Sequence, residues 1–303
     1  MSERTLAILG APTSASAHWP GQEMAPTAFR KAGLIERFQA TGARVVDLGD
    51  LPIEPWRVAR QPVNGGSVNN LDRVIAFAEL VRESVCTAAR DGAFPIVLGG
   101  DCTITVGTMA GRLAAEQDPA LVYVDGGWDL SSPAMYPAGI LDSMGVGHML
   151  DRPGETGLAG IAPRRPMANM DRFVQFGHGP GASDGPEETL AEELALHHVS
   201  GMDARDRGAD AACDALSLLP ADTSGYLLHF DVDVIEFFDV PVADVPLHGN
   251  GLPYADTFAA LRVLVGDPRC VGLTVTEFNP DHAKADPEIN PRFVADLADL
   301  FAG

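Results

Sequence analysis

The chain has 303 residues and a formal net charge of −21, from 42 acidic residues against 21 basic ones. This charge argues against binding to nucleic acids or to anionic membrane surfaces, since both are negatively charged themselves. The length and apolar content suit one α/β domain over residues 1–303, and no apolar run approaches the length of a membrane span.

Apolar strands and amphipathic helices alternate along the chain. Strands are predicted at 6–9, 43–48, 94–98, 120–124, 172–176 and 270–276, and another begins at 226 and ends with the acids at 231 and 233. Helices are predicted at 26–39, 71–91, 103–115, from 186 to the His197 pair, and at 203–218, 254–265 and 290–301. Strands that are apolar throughout and are joined by helices are typical of a parallel sheet with both faces covered.

The four cysteines and the first residues bear on the compartment. The thiols of Cys86, Cys102, Cys213 and Cys270 are scattered along the chain without the spacing of a disulfide framework. The opening Met-Ser-Glu-Arg leads into a short strand and is not typical of a secretory signal peptide. We therefore predict a cytoplasmic protein with reduced cysteines.

Two acidic residues end the strand that begins at 226. Asp231 and Asp233 are two residues apart, so both carboxylates leave the strand on the same side. Two carboxylates about 4 Å apart repel by roughly 4 kcal/mol at an effective dielectric near 20. A metal ion between them is the simplest way to offset this repulsion, while a protonated carboxyl or a solvent-facing pair is the alternative.

The same pattern recurs at the ends of three other strands. The residues that follow them are Gly-Gly-Asp-Cys (99–102), Asp-Gly-Gly-Trp-Asp (125–129) and Glu-Phe-Asn-Pro (277–280). In open α/β folds, ligands bind at the carboxyl ends of the parallel strands. The sequence therefore predicts one site at this edge of the sheet.

These motifs, together with Phe-Asp-Val-Asp (230–233), resemble in order and separation those of the ureohydrolases, the family of arginase, agmatinase and formimidoylglutamase. The stretch 21–34 looks like the family's opening helix, so the resemblance covers nearly the whole chain. The resemblance implies an arginase-like, three-layer αβα domain with a mostly parallel central sheet. It also implies a two-manganese centre that converts a bridging water into a hydroxide, which attacks a guanidinium or amidine carbon.

The resemblance assigns roles to individual residues. The family's metal-binding aspartates correspond to Asp125, Asp129, Asp231 and Asp233. Asp125 and Asp231 would bridge the ions, which also makes Asp125 catalytic. Glu277 stands where the family's glutamate holds the substrate guanidinium, and His148, in the predicted loop region 130–168, where a histidine relays protons. The resemblance further implies a small-molecule substrate and a homo-oligomer, either a trimer or a hexamer.

Two positions depart from the family's pattern. Cys102 replaces the histidine of Gly-Gly-Asp-His, and Gly127 replaces the histidine of Asp-Ala-His-x-Asp, so both metal-ligating histidines are changed. A thiolate at Cys102 favours zinc or iron over manganese, because sulfur is a soft ligand. Gly127 supplies no ligand, so we expect a divalent metal centre with either one or two ions.

Three residues allow other interpretations. Cys102 is alternatively a small core residue or a nucleophile, although nearby carboxylates would raise the pKa of the thiol and oppose the second role. His248 either fills the gap at Gly127, lies in a surface loop or touches substrate. His229 precedes Phe230 in its strand and is expected to face away from the ligands.

The favoured function is metal-dependent hydrolysis of a C–N bond in a small guanidino or amidino compound. One alternative is a catalytically silent relative with a binding or assembly role. Another is an enzyme of the same fold with different chemistry in a specialised pathway. Residues 178–184 stand where the family has acidic residues for a substrate amino group, so an amino-acid substrate such as arginine is not supported.

Overall fold

The computed structural model describes residues 4–58, 68–152, 156–179 and 185–302. Within these ranges, eight strands form one sheet: Thr5–Gly10 (β1), Arg44–Asp50 (β2), Phe94–Leu98 (β3), Ala120–Val124 (β4), Phe173–Phe176 (β5), His197–Val199 (β6), Tyr226–Asp231 (β7) and Cys270–Thr276 (β8). Their order across the sheet is β2-β1-β3-β8-β7-β4-β5-β6, and every neighbouring pair is parallel.

Helices cover both faces of this sheet. They are Ala25–Lys31 (α1), Leu34–Ala40 (α2), Leu71–Arg90 (α3), Thr103–Ala114 (α4), Gly145–Met149 (α5), Gly185–Glu193 (α6), Gly201–Ala204 (α7), Gly208–Leu218 (α8), Tyr254–Gly266 (α9) and Ile289–Asp299 (α10). Side chains of α1, α2, α8, α9 and α10 form a core with one face, and those of α3, α4 and α5 pack on the other. The predicted α/β fold, with three αβα layers and a parallel central sheet, is confirmed.

The strands are apolar throughout because both faces of the sheet are buried. On β7, Leu228 and Phe230 belong to the core with α9 and α10, while Leu227 belongs to the core with α4. Successive residues of a strand point to opposite faces, so each face needs its own set of apolar side chains. No helix in the described ranges is long and apolar enough to cross a bilayer.

Two predicted helices are divided in the structure. The segment predicted as one helix over 26–39 forms α1 and α2, because Gly33 between them has a φ of +82°. Glycine adopts this left-handed conformation without the steric cost of a Cβ atom. The segment 203–218 likewise lies in α7 and α8, which are separated at Arg205–Arg207.

The prediction that the helix starting at residue 186 reaches the His197 pair is wrong. Helix α6 ends at Glu193, and His197–Val199 forms the edge strand β6. A strand of three residues is too short to show the alternation that identifies a strand in a sequence.

The strands that carry the four motifs are neighbours at the centre of the sheet, in the order β3-β8-β7-β4. Because they are parallel, their carboxyl ends lie along the same edge. The residues that follow these strands are therefore brought together, as the sequence predicts.

Candidate metal and substrate site

A cavity of about 210 Å³ lies at the carboxyl ends of the central strands. Its acidic lining residues are Asp125, Asp129, Asp142, Glu187, Asp231, Asp233 and Glu277. All except Asp129 and Asp233 are buried. In the described part of the chain, no lysine or arginine lines this cavity. Burying carboxylates together is unfavourable unless protons or cations neutralise them, so the cavity is built to bind positive charge.

Four residues form what we call the inner cluster: Cys102, Asp125, His229 and Asp231. Each offers one potential ligand atom, and these atoms all lie within 4.8 Å of one another. Sγ of Cys102 donates a hydrogen bond to Oδ2 of Asp231 at 2.7 Å. Nε2 of His229 lies 3.4 Å from Oδ2 of Asp125 and 3.9 Å from Sγ of Cys102. The structure thus brings together three of the predicted metal ligands and adds an imidazole.

The expectation that His229 faces away from the ligands is wrong. Residues two apart on a strand share a face, so His229 lies on the same side of β7 as Asp231, and Phe230 points into the core behind the sheet. The imidazole stacks on the ring of Tyr123 at a centroid distance of 3.7 Å. Burial lowers the pKa of His229, so in the absence of other partners the ring is neutral and one nitrogen offers a lone pair.

The pKa of the Cys102 thiol is shifted in the opposite direction from that of His229. Burial, and then the charge of Asp231, raise the pKa of Cys102 well above its usual value. Without a cation the residue is therefore a neutral thiol that donates to Asp231. A nucleophilic cysteine needs a stabilised thiolate, so this environment disfavours the nucleophile interpretation.

Asp129 and Asp233, the other two predicted ligands, line the cavity beside the inner cluster. The hydroxyl of Tyr123 donates to Asp129 at 2.5 Å, and the backbone N–H of Gly126 donates to Asp233 at 2.9 Å. Burial raises the pKa of Asp233 to about 6. Asp129 has a φ of +49°, a conformation that non-glycine residues keep only where their surroundings hold them.

Gly127 leaves one side of the cavity without a ligand. Its N–H donates to Oδ1 of Asp125 at 2.6 Å, and its carbonyl accepts a hydrogen bond from Gln175. Its φ is not positive, so a side chain there would not carry the strain of a left-handed backbone. His248 does not fill this gap, because it is exposed in a surface loop with its ring centroid 5.1 Å from that of Phe237.

A second group lies beside the inner cluster, and we call it the Glu277 wall: Gln22, Asp142 and Glu277. Ligand atoms of Asp142, Glu277 and Cys102 lie within 4.8 Å of one another, so the two groups are adjacent. The side-chain amide of Gln22 donates to Glu277 at 2.5 Å, and Asp142 accepts the backbone N–H of Cys102 at 2.7 Å. Burial, and then the charge of Asp142, raise the pKa of Glu277. The φ of Glu277 is +64°, so its position too is held by its surroundings. Sequence reasoning assigned no role to Asp142 or to the Gln22 side chain.

Two histidines, His148 and His18, differ in their position relative to the cavity, and this bears on the predicted proton relay. His148 is buried in the short helix α5 and is not among the residues that line the cavity. His18 does line it, with Nδ1 4.0 Å from Oδ2 of Asp142 and Nε2 3.3 Å from the hydroxyl of Tyr136. Burial lowers the pKa of His18, which leaves it neutral and able to accept a proton.

Part of the predicted substrate region lies outside the described residues. Of the stretch 178–184, the structure describes only 178 and 179. The imidazole of His178 packs on Trp128 at a centroid distance of 4.6 Å, and His198 of β6 packs on the same indole at 5.5 Å. Trp128 itself lines the cavity, so the two imidazoles support the part of the cavity lining that Trp128 forms.

Comparisons with known proteins point to one family. The model of the Arginase family matches residues 4–300. Arginase of Bacillus subtilis strain 168 is 27% identical over 288 residues, which cover 92% of this chain and 93% of that protein. Arginase-1 of Sus scrofa is 27% identical over 299 residues, covering 94% of this chain and 88% of that protein.

Solved structures show the same likeness. The native structure of arginase from Bacillus caldovelox superposes with a TM-score of 0.87 at 25% identity and covers 99% of both chains. The formimidoylglutamase of Bacillus subtilis has a TM-score of 0.74 at 17% identity, covers 99% of this chain and 86% of that one, and shares the fold.

Proposed function

The chain belongs to the arginase family, and on that premise we propose that it hydrolyses a C–N bond of a small guanidino or amidino compound with the help of bound divalent metal. The observation that carries this proposal is the acidic cavity, which no lysine or arginine of the described residues lines. Guanidinium and amidinium groups are cations, as metal ions are, and an acidic cavity attracts cations of either kind.

The residues of the cavity fit a divalent metal ion. Buried carboxylates whose pKa values are raised by burial lose that penalty when a cation replaces their protons. The ligands we propose are Cys102, Asp125, Asp129, Asp231 and Asp233. The family resemblance favours manganese, while the sulfur of Cys102 favours zinc or iron, with one or two ions bound. Such an ion supplies Lewis acidity and lowers the pKa of water at the site.

The Glu277 wall is the proposed substrate side. Glu277 would accept hydrogen bonds from the cationic group of the substrate, and Gln22 would hold the carboxylate in place through its 2.5 Å contact. Asp142, also in the cavity lining, adds a second negative charge. Asp125 both lines the cavity and belongs to the inner cluster, so it would contact the metal and the reacting water.

The proton relay has two candidates. His148 is the residue that the family resemblance assigns to this role. His18 is favoured by its position in the cavity lining beside Asp142. The activities of the His18→Ala and His148→Ala variants would separate these two proposals.

A catalytically silent relative with a binding or assembly role is the second candidate function. The replacement of both of the family's histidines, by Cys102 and Gly127, favours it. An enzyme of this fold with different chemistry is the third. We also propose a cytoplasmic protein, because the scattered cysteines favour a reducing compartment. The proposed homo-oligomer, a trimer or a hexamer, rests on the resemblance alone, and sedimentation or light scattering would test it.

The test begins with protein that has been stripped of metal by a chelator. It is resupplied separately with manganese, zinc and ferrous iron and assayed for ammonia or urea release from guanidino and amidino compounds. We expect turnover only with metal. We also expect a metal-dependent rise in melting temperature, because a ligand at a hundredfold excess over Kd stabilises the native state by about 2.7 kcal/mol.

Each outcome of this test separates the candidates. Absence of metal binding together with an unchanged melting temperature would contradict the proposal and favour the silent relative. Tight metal binding without turnover of any compound in the panel would favour different chemistry.

A further inference from the structure

A nitrogen donor is present in the inner cluster although neither motif position supplies one. The two motif histidines are replaced by Cys102 and Gly127, and the imidazole comes instead from His229, within strand β7. We propose that His229 is a metal ligand that completes a four-donor thiolate–imidazole–carboxylate site with Cys102, Asp125 and Asp231, and that this site selects zinc or a similar borderline ion over manganese. This rests on the proposed function only in requiring that a divalent metal binds.

The distances are close to those of a tetrahedral site. Bonds of about 2.0–2.3 Å to zinc place neighbouring ligand atoms roughly 3.3–3.6 Å apart. Nε2 of His229 lies 3.4 Å from the nearer oxygen of Asp125 and 3.9 Å from Sγ of Cys102. The contact of Cys102 with Asp231, at 2.7 Å, is a hydrogen bond that would open once the thiol proton is displaced. Small side-chain shifts are therefore enough to surround an ion.

The other ring nitrogen of His229 is oriented as in known metal sites. Nδ1 lies 2.7 Å from the hydroxyl of Thr105, which is itself 2.9 Å from the hydroxyl of Thr274. A histidine that binds metal through one nitrogen almost always donates the N–H of the other to an oxygen, which fixes the tautomer and the ring. With Nδ1–H donated to Thr105, the lone pair of Nε2 points at the inner cluster.

Packing prevents the ring from turning to another partner. His229 is fully buried, and its ring is nearly parallel to that of Tyr123, at an interplanar angle of 6°. Nε2 therefore faces Asp125, Cys102 and the hydroxyl of Thr276, which lies 3.5 Å away. A lone pair beside carboxylate oxygens is repelled unless a positive charge lies between them, and a metal ion supplies that charge.

The donor types decide the metal. Thiolate and imidazole suit zinc, cobalt and ferrous iron, whereas manganese prefers carboxylate, carbonyl and water oxygens. An inner cluster with one sulfur and one nitrogen should therefore bind zinc and cobalt more tightly than manganese. The alternative is a site in which His229 only donates a hydrogen bond to Asp125 and takes no part in metal binding.

Cobalt titration of the metal-free full-length protein distinguishes these alternatives, because cobalt reports on its ligands by absorption. We expect a thiolate-to-cobalt charge-transfer band and the intense visible bands of a four-coordinate ion. His229→Ala should weaken cobalt binding by more than the roughly 10–100-fold that is typical when an outer-shell partner is lost. Thr105→Val, which keeps the imidazole, should weaken it within that range. His197→Ala, the matched control on strand β6, should leave affinity and spectrum unchanged.

A second measurement does not depend on whether the His229 variant folds. X-ray absorption at the zinc edge of the wild-type protein should show one sulfur at about 2.3 Å and the multiple scattering of an imidazole. His18→Ala should keep that imidazole signal, and this result would exclude His18, the histidine that lines the cavity, as its source.

The outcomes separate the two proposals. Zinc without imidazole scattering, unchanged cobalt affinity in folded His229→Ala, or tighter binding of manganese than of zinc would each overturn the role of His229. Metal-dependent hydrolysis would survive any of these results. A wild-type protein that binds neither zinc, cobalt nor manganese would contradict both proposals.

Discussion

The inner cluster and the Glu277 wall both contribute residues to the lining of one cavity but are built from different groups. The inner cluster combines a thiol, an imidazole and two carboxylates, and the hydroxyls of Thr105 and Thr276 support it. The Glu277 wall contains only carboxylates and the amide of Gln22. Mixed donors around a small volume suit a metal ion, whereas carboxylates held by an amide suit an organic cation. Although the two groups are adjacent, we propose that the inner cluster binds the metal and that the Glu277 wall binds the cationic group of the substrate.

The largest effect is expected from Asp231→Asn in the inner cluster. Loss of this carboxylate should release the metal and lower turnover by on the order of 10³ or more, because metal Lewis acidity contributes several kcal/mol and each 1.36 kcal/mol is tenfold in rate. Elemental analysis and steady-state kinetics would measure both losses. Asp142→Asn removes a similarly buried carboxylate from the Glu277 wall and should retain the metal. If Asp231→Asn kept all of its metal, the inner cluster would not be the metal-binding group.

The next effect concerns the proton relay. General acid–base catalysis is typically worth about 10²–10⁴ in rate, and the residue responsible should affect kcat without affecting metal content. His18→Ala and His148→Ala are compared for kcat and for bound metal. A loss confined to His18→Ala would assign the role to the cavity histidine, and a loss confined to His148→Ala would confirm the assignment by resemblance. Unchanged rates in both variants would show that neither His18 nor His148 is the proton relay.

Glu277→Gln should affect substrate binding and leave metal binding intact. A hydrogen bond to a charged group contributes about 1.5–3 kcal/mol, so kcat/KM should fall roughly 10- to 100-fold for a cationic substrate. Kinetics with that substrate and with an uncharged analogue would measure the difference. Metal loss in this variant would place Glu277 among the metal ligands and would contradict separate roles for the inner cluster and the Glu277 wall.

The smallest effect is expected from Gly127→His, which changes metal occupancy. Without a donor at this position, the ligands of a second ion would be carboxylates that are partly shared with the first ion, so its affinity should be low. We therefore predict about one ion per chain at micromolar supply. The added imidazole should raise occupancy towards two, as measured by elemental analysis, and Gly127→Ala controls for the added side chain. Wild-type protein that already holds two tight ions would contradict this argument directly.

The positions of several site residues can be predicted from the sequence because they lie at the ends of strands. Cys102, Asp125 and Asp231 could be placed together from the sequence because each follows or ends an apolar strand, and the strands are parallel neighbours. The position of His229 also follows from the strand period, since the spacing of two residues from Asp231 puts both on one face of β7. The expectation that His229 faces away is wrong because the period that pairs Asp231 with Asp233 also pairs His229 with Asp231.

The sequence by itself determined the sheet, its carboxyl edge and the acids along that edge, because the strand period and the apolar runs are local patterns. Only the tertiary structure decided the Glu277 wall. Gln22 and Glu277 are 255 residues apart, and Asp142 lies in a connection without periodicity. Such contacts depend on how separate loops pack over the same strand ends, and no local pattern encodes that packing. Burial then decided the chemistry, because the pKa values of these groups depend on the removal of water and on the neighbours that folding brings close.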